Sequence, residues 1–415
     1  MNSGDTAWIL ACTGLVLLMT PGLAFFYGGL VRERAAINTI KMSFSALGLI
    51  ALEWALVGYS MAFGPGGKLL GGLSWAGLSG VGEAPSASYG PTIPHLVFMA
   101  FQMMFAIITP ALISGAVVGR MKFKAYAAFI VLWALLVYNP LARWVWSADG
   151  WIGKLGALDF AGGTVVHVSA GVSALVAALI LGPRRRAPAE TKPHNVPFVV
   201  LGASLLWFGW FGFNAGSALG ANGVAALAVV TTMLSASAAV ATWIFTDMAR
   251  GRKPTAVGAS IAAVVGLVAV TPGAGFVTPL AAMLIGGIAT LVSYFAVEFI
   301  KGLGIDDTLD VFACHGLGGV VGALLTGVFA TTEVNAAGRD GLLRGNPSLL
   351  GAQAIGVLAA AVLAAAGTAL ILVLLKAVMG LRASPEAEVI GIDVTEHAET
   401  AYALELVADA ARISR

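Results

Sequence analysis

Apolar residues run through this chain in long stretches separated by Gly, Pro and charged punctuation. Each stretch is long enough for a helix crossing a hydrocarbon core about 30 Å thick, which takes roughly 20 residues. Eleven such stretches are read, at 6–31, 39–64, 92–119, 124–147, 161–182, 196–218, 223–248, 255–271, 277–299, 308–330 and 348–379. The first has Asp5 ahead of its apolar run and no basic leader, so it is expected to be a span rather than a cleaved signal.

An odd number of spans places the termini on opposite sides. Eighteen of the 23 Lys and Arg residues, among them Arg32, Arg120, Arg184, Arg186, Lys301 and Arg382, fall in one set of connections and in the tail. The other side keeps Lys68, Arg143, Lys154, Arg339 and Arg344. The positive-inside rule therefore predicts N-terminus out and C-terminus in. Residues 1–380 form the transmembrane domain, 64–91 an outer loop, and 381–415 a cytosolic tail.

The fifth and tenth spans echo each other. Asp159 lies eight residues before His167 and Asp307 eight before His315, while Gly171 and Gly319 follow their histidines by four. The fifth span runs inward and the tenth outward, the arrangement of a 5+5 inverted repeat with one additional C-terminal helix. Eight helical residues rise about 12 Å, which predicts both histidines near the membrane midplane.

Composition supports an all-α polytopic membrane protein. Hydrophobic residues make up 59%, charged residues 11%, and mean hydropathy is +0.90, far from the quarter of charged residues usual in soluble domains. A net charge of +2 gives no reason to expect nucleic acid. Cys12 and Cys314 both sit in apolar runs, so no disulfide framework is expected.

Ionisable groups within spans are costly and are functional candidates for that reason. His167 and His315 offer a donor and an acceptor where hydrocarbon offers neither; they read either as a buried hydrogen-bonded pair or as a pore for a small polar solute. Gly162, Gly163 and Gly171 around one, and Gly316, Gly318, Gly319 and Gly322 around the other, permit close helix contact. Trp210, Phe213 and Ser217 share one face of the sixth span. Phe101 and Phe105 lie one turn apart in the outer half of the third, and Trp146 ends the fourth on that side. Aromatic faces and a hydroxyl suit a small cation, although an interfacial aromatic belt is the other reading for the tryptophans. Asp159 could attract a cation or cap a helix N-terminus, and the turn-like DFAGG favours capping. Glu53, in the second span, reads as a protonated or hydrogen-bonded structural acid. In the tail, Asp393 to Glu396 resembles a capping box leading a helix-compatible run through Ala410. That tail is either frayed or a docking element.

The segment DFAGGTVVH at 159–167 resembles the signature of the ammonium transporter family (Amt/Mep/Rh), and is most similar to its bacterial and archaeal Amt branch. PGLAFFYGGL at 21–30, FQMMFAIITPALISGA at 101–116, WFGWFGFNAGSA at 207–218, DVFACHGLGG at 310–319 and GIDVTEHAETAY at 391–402 extend the resemblance along most of the chain. It implies an ammonium transporter of the cell (plasma or inner) membrane, a homotrimer with one pore per subunit, no cofactor, and methylammonium as a further substrate. It also implies that Phe105 and Phe213 gate the outer pore, that Trp146, Phe101, Phe105 and Ser217 recruit ammonium, that His167 and His315 line the pore, and that Asp159 is the essential outer aspartate. Asp307 is its electrostatic or structural counterpart. Trp210, Phe26 and Tyr27 are expected to border the inner half of the pore. The stretch between Trp146 and Asp159 is one residue longer than the common pattern. The tail is implied to dock a PII-type nitrogen-signalling protein. An ammonium sensor with little flux is the alternative, although about 35 residues after the last span are too few for a signalling domain. An enzyme or metal site on Cys314, His315 and His167 is disfavoured, because adjacent helical residues point about 100° apart.

Overall fold

The computed structural model describes residues 1–185 and 192–402. Arg186 and the tail from 403 onward, including Ala410, lie outside the described residues. Within them, ten helices are long and apolar enough to cross a membrane: α1 (Ser3–Leu30), α2 (Glu33–Phe63), α3 (His95–Val117), α4 (Phe123–Leu155), α5 (Gly163–Leu181), α6 (Val196–Gly216), α7 (Gly223–Ala249), α9 (Pro279–Gly302), α10 (Phe312–Phe329) and α11 (Pro347–Met379). A shorter apolar helix, α8 (Ala256–Val270), brings the bundle to the eleven expected. The 64–91 connection carries the small departure from an all-helical chain, a hairpin of β1 (Pro85–Ser86) and β2 (Gly90–Pro94).

Local chemistry starts these helices where the punctuation suggests. Asn195, Asn222, Thr255 and Thr278 each accept the backbone N–H three residues on, satisfying donors that a helix leaves open. In lipid, apolar side chains gain little by leaving hydrocarbon, so helices associate through close packing at small residues. The α1–α6 and α5–α10 contacts follow that rule. A Cβ on Gly202 would overlap the Phe26 backbone. One on Gly171 would overlap Gly316, and one on Gly319 would press on Gly163 and the His167 Cβ, at 2.9 and 3.0 Å. The glycine of each repeat thus seats against the histidine segment of the other.

Each histidine sits in a widened π-turn, Gly163–Val168 in α5 and Phe312–Leu317 in α10, a distortion frequent at functional sites. Asp159 precedes a turn in which Gly162 has φ +117°, and the helix begins only at Gly163. The rise from aspartate to histidine is therefore not that of eight helical residues.

The basic connections gather at one end of the bundle, here the basic face, while Trp146, Asp159, Ser217 and the 64–91 loop mark the opposite face. The tail lies on the basic face as two short helices, α12 (Pro385–Ile390) and α13 (Ile392–His397). The expected capping box is absent: Asp393 turns away from its own helix and accepts the Ile37 and Asn38 N–H groups at 2.9 and 2.8 Å. Ala398 is left-handed and ends α13, which interrupts the expected run within the described residues. Lys122 N–H donates to Leu381 and Ala383 N–H to Arg120, while buried Glu388 accepts from Arg382 and from the Arg185 N–H. The tail's described part is docked rather than frayed.

Candidate functional site

Four cavities follow one another through the bundle. The first, about 150 Å³ at the opposite face, is lined by Phe105, Trp146, Phe160, Gln102 and Ser217 among others. Trp146 is fixed by its indole N–H donating to the Asp159 carbonyl at 2.9 Å. The Ser217 hydroxyl donates to the Phe213 carbonyl, leaving its lone pairs free to accept. Phe101 does not line this cavity. It is fully buried, packs on Phe105 at 5.0 Å between ring centroids, and fills the space beside Gly216.

The floor is the Phe105–Phe213 pair, with centroids 4.3 Å apart and rings tilted by 36°. Both phenylalanines are about 1% exposed, and the pair lies between this cavity and the next. Below lies a narrow apolar cavity of about 10 Å³ lined by Phe213, Trp210, His167, His315, Phe26 and aliphatic side chains. The histidine rings stand 5.4 Å apart, nearly parallel, with Nδ1 to Nδ1 at 3.3 Å. That contact needs one Nδ1–H donor and one bare Nδ1 acceptor, so the two neutral imidazoles take opposite tautomers. Their Nε2 atoms then offer one acceptor and one donor. His167 Nε2 is buried without a partner.

Trp210 stacks on His167 at 5.4 Å and donates its N–H to Thr271 Oγ1. It stands at the level of the first histidine and of Phe213, higher than the inner-half position expected for it. Phe26 and His315 continue into a third cavity, also about 10 Å³, which Tyr27, Leu309 and Cys314 complete. The Tyr27 hydroxyl donates to the Leu112 carbonyl. Leu309 leads to the fourth cavity, about 430 Å³ at the basic face, lined by Asp306, Asp307, Arg184 and Lys301 among others.

The two repeat-related aspartates differ. Asp159 accepts from the N–H groups of Gly162, Gly163, Thr164 and Val165 and from the Thr164 hydroxyl, so its oxygens are occupied at the start of α5. Asp307 accepts from the Phe312 N–H at 2.7 Å through Oδ2, and its Oδ1 is buried without a partner. Asp306 is held by Arg184 through both oxygens at 2.7 and 2.8 Å. Burial alone would raise its carboxyl, but the Arg184 hydrogen bonds and charge hold it well below the usual carboxylate range.

Glu53 lies outside this line, where its Oε1 accepts from Asn139 at 2.7 Å. Gln102 was missed in the sequence, although an amide one residue after Phe101 inside an apolar helix is a readable signal.

A close phenylalanine pair above two facing histidines, in apolar walls inside a bundle of membrane-length helices, marks a polytopic membrane protein with a narrow internal cavity. The chain belongs to the Ammonium Transporter Family, whose family model matches residues 7–402. The ammonium transporter of Bacillus subtilis is 50% identical over 403 residues, covering 97% of this chain and 99% of that one. The crystal structure of Saccharomyces cerevisiae Mep2 superposes with a TM-score of 0.87 at 36% identity, covering 93% of this chain and 88% of that one. A structure titled Sensor Amt Protein superposes with a TM-score of 0.86 at 31% identity, covering 95% and 98%. The chain is thus a multi-pass cell-membrane protein whose function is ammonium transport, not an enzyme.

Proposed function

We propose that the chain takes ammonium from the opposite face, strips a proton from it, and conducts ammonia past the twin histidines to a cytosolic basic face. The observation that carries this reading is the shared Nδ1 contact of His167 and His315 beneath the closed Phe105–Phe213 pair. Trp146, Phe105 and the free lone pairs of Ser217 suit a cation, with roughly 0.5–1 kcal/mol available from a partly exposed aromatic contact. A bare cation entering the apolar cavity below would face an idealised solvation penalty of order 20 kcal/mol. Ammonia has no such penalty, and the histidine Nε2 pair presents both a donor and an acceptor to it. The proton left behind crosses separately, which makes transport electrogenic; Phe26, Tyr27 and Leu309 line the exit. Asp159, saturated by helix donors, shapes the recruitment site rather than binding the ion.

Liposomes carrying the His167→Ala, His315→Ala double variant test this. Loss of ammonium flux or of its selectivity over potassium, in protein that melts like the wild type, is expected; wild-type flux and selectivity contradict the pore assignment. The fold is shared with the structure titled Sensor Amt Protein, so flux also separates transport from sensing. We further propose a homotrimer, and a PII-type protein docking on the basic face and tail. Loss of PII binding on deleting residues 381–415 is expected, and unchanged binding contradicts it.

A further inference from the structure

The inverted repeat places Asp159 and Asp307 at the starts of α5 and α10, yet treats them differently. Five donors saturate the first, whereas Asp307 is 4% exposed and keeps Oδ1 buried without a partner. An unpaired buried oxygen is costly to leave as a carboxylate. Asp307 also lines the wide cavity at the basic face that Leu309 joins to the histidine cavities. We propose that Asp307 is the proton donor that converts emerging ammonia into ammonium in that cavity, an assignment resting on the transport reading above.

The balance is simple. The Asp307 carboxyl gives its proton to the ammonia lone pair, leaving carboxylate and ammonium; the carboxylate then takes a proton from cytosolic water or buffer. The ammonium leaves through the wide cavity, and the same steps reversed load ammonium from the basic face. Neighbouring charges are already engaged. Asp306 holds Arg184 at 2.7 Å and Asp310 holds Lys301 at 2.9 Å, Arg120 donates to Thr308 Oγ1 and the Asp306 carbonyl, and Arg32 donates to the Glu388 carbonyl. Lys192, also lining the cavity, is exposed. Burial raises the Asp307 carboxyl to about 7, opposed by the Phe312 N–H and aided by Asp310, which suits proton exchange near neutral pH.

Asp307→Asn keeps an acceptor for Phe312 and removes the exchangeable proton. In liposomes the expected result is a maximum flux lower by roughly 10²-fold, an unchanged half-saturating outer ammonium concentration, and loss of the dependence on luminal pH. In the wild type, flux at fixed outer pH is expected to fall as luminal pH rises through about 7, where the carboxyl loses its proton. A variant with wild-type rate and the same luminal pH profile overturns the proposal, whereas absence of flux in the wild type itself overturns the transport reading. If the variant does not insert, infrared difference spectra of Asp307→Glu against the wild type decide: a protonated-carboxyl band that disappears as luminal pH crosses about 7 and that shifts in frequency in Asp307→Glu, where Glu53 is unaltered, is expected, and a band that does not shift overturns the assignment.

Discussion

At the scale of single residues, chemistry is set by which polar atoms are satisfied and which are left over. Asp159 satisfies four backbone donors and a hydroxyl. Asp159→Ala orphans them, and at roughly 1–3 kcal/mol per buried donor the variant is expected to lose folded protein, as thermal melting in detergent will show. Asp159→Asn, which keeps one acceptor oxygen, is expected to melt between that variant and the wild type. Trp146, which lines the cavity at the opposite face, is assigned to the ligand in the proposed function. Trp146→Leu is expected to raise the half-saturating ammonium concentration about 2- to 5-fold, the worth of a partly exposed cation–π contact; unchanged concentration dependence would remove Trp146 from the recruitment site. His167, His315, Phe105 and Phe213 were legible because polar or bulky aromatic groups stand out inside apolar runs. Glu53 was legible as an anomaly but not as a pair, since Asn139 meets it from 86 residues away and no local spacing encodes that.

At the scale of elements, the repeat was readable from the echo of Asp, His and Gly, whereas its geometry was not. Periodicity assumes 3.6 residues per turn, and both histidine segments are π-turns. Contact between the repeats is reciprocal, and Gly171→Ala is expected to destabilise the protein by a few kcal/mol because its Cβ overlaps the Gly316 backbone. The tail shows the limit of local reading more plainly. Asp393 fits a capping box in sequence, but tertiary placement sends its carboxylate to the N-terminus of α2. Asp393→Ala is expected to loosen docking by about 1 kcal/mol, read as faster amide exchange at residues 37 and 38. His397 adds pH dependence. Its Nδ1 accepts from Lys41 and its Nε2 donates to Asn38, so the docked ring is neutral, and burial, helped by the Lys41 charge, lowers its pKa. A freed tail therefore binds a proton more readily than a docked one. Docking is full above the ordinary histidine value of about 6.5 and weakens as pH falls below it, which amide exchange of residues 392–398 against pH will measure.

At the scale of the whole molecule, eleven helices leave broad apolar surfaces, with Phe245, Phe295 and Phe299 on α7 and α9 more than half exposed. Lipid and neighbouring subunits can both cover such surfaces, and a mass of three chains in native-like detergent is the outcome expected of the homotrimer. Span number and the gathering of basic connections at one end were legible because a hydrocarbon solvent imposes length and polarity on every crossing. Subunit contacts were not, because a lipid-facing and a subunit-facing side chain are both apolar. In the transport we propose, ammonium is split, its ammonia passing the histidines while its proton crosses separately. The most direct test is the current from purified protein in liposomes on a rapid ammonium jump, with luminal pH recorded and potassium as control. An ammonium-selective current that potassium does not evoke is expected. A luminal pH rise without current would contradict it, since that is neutral ammonia conduction with the proton left outside.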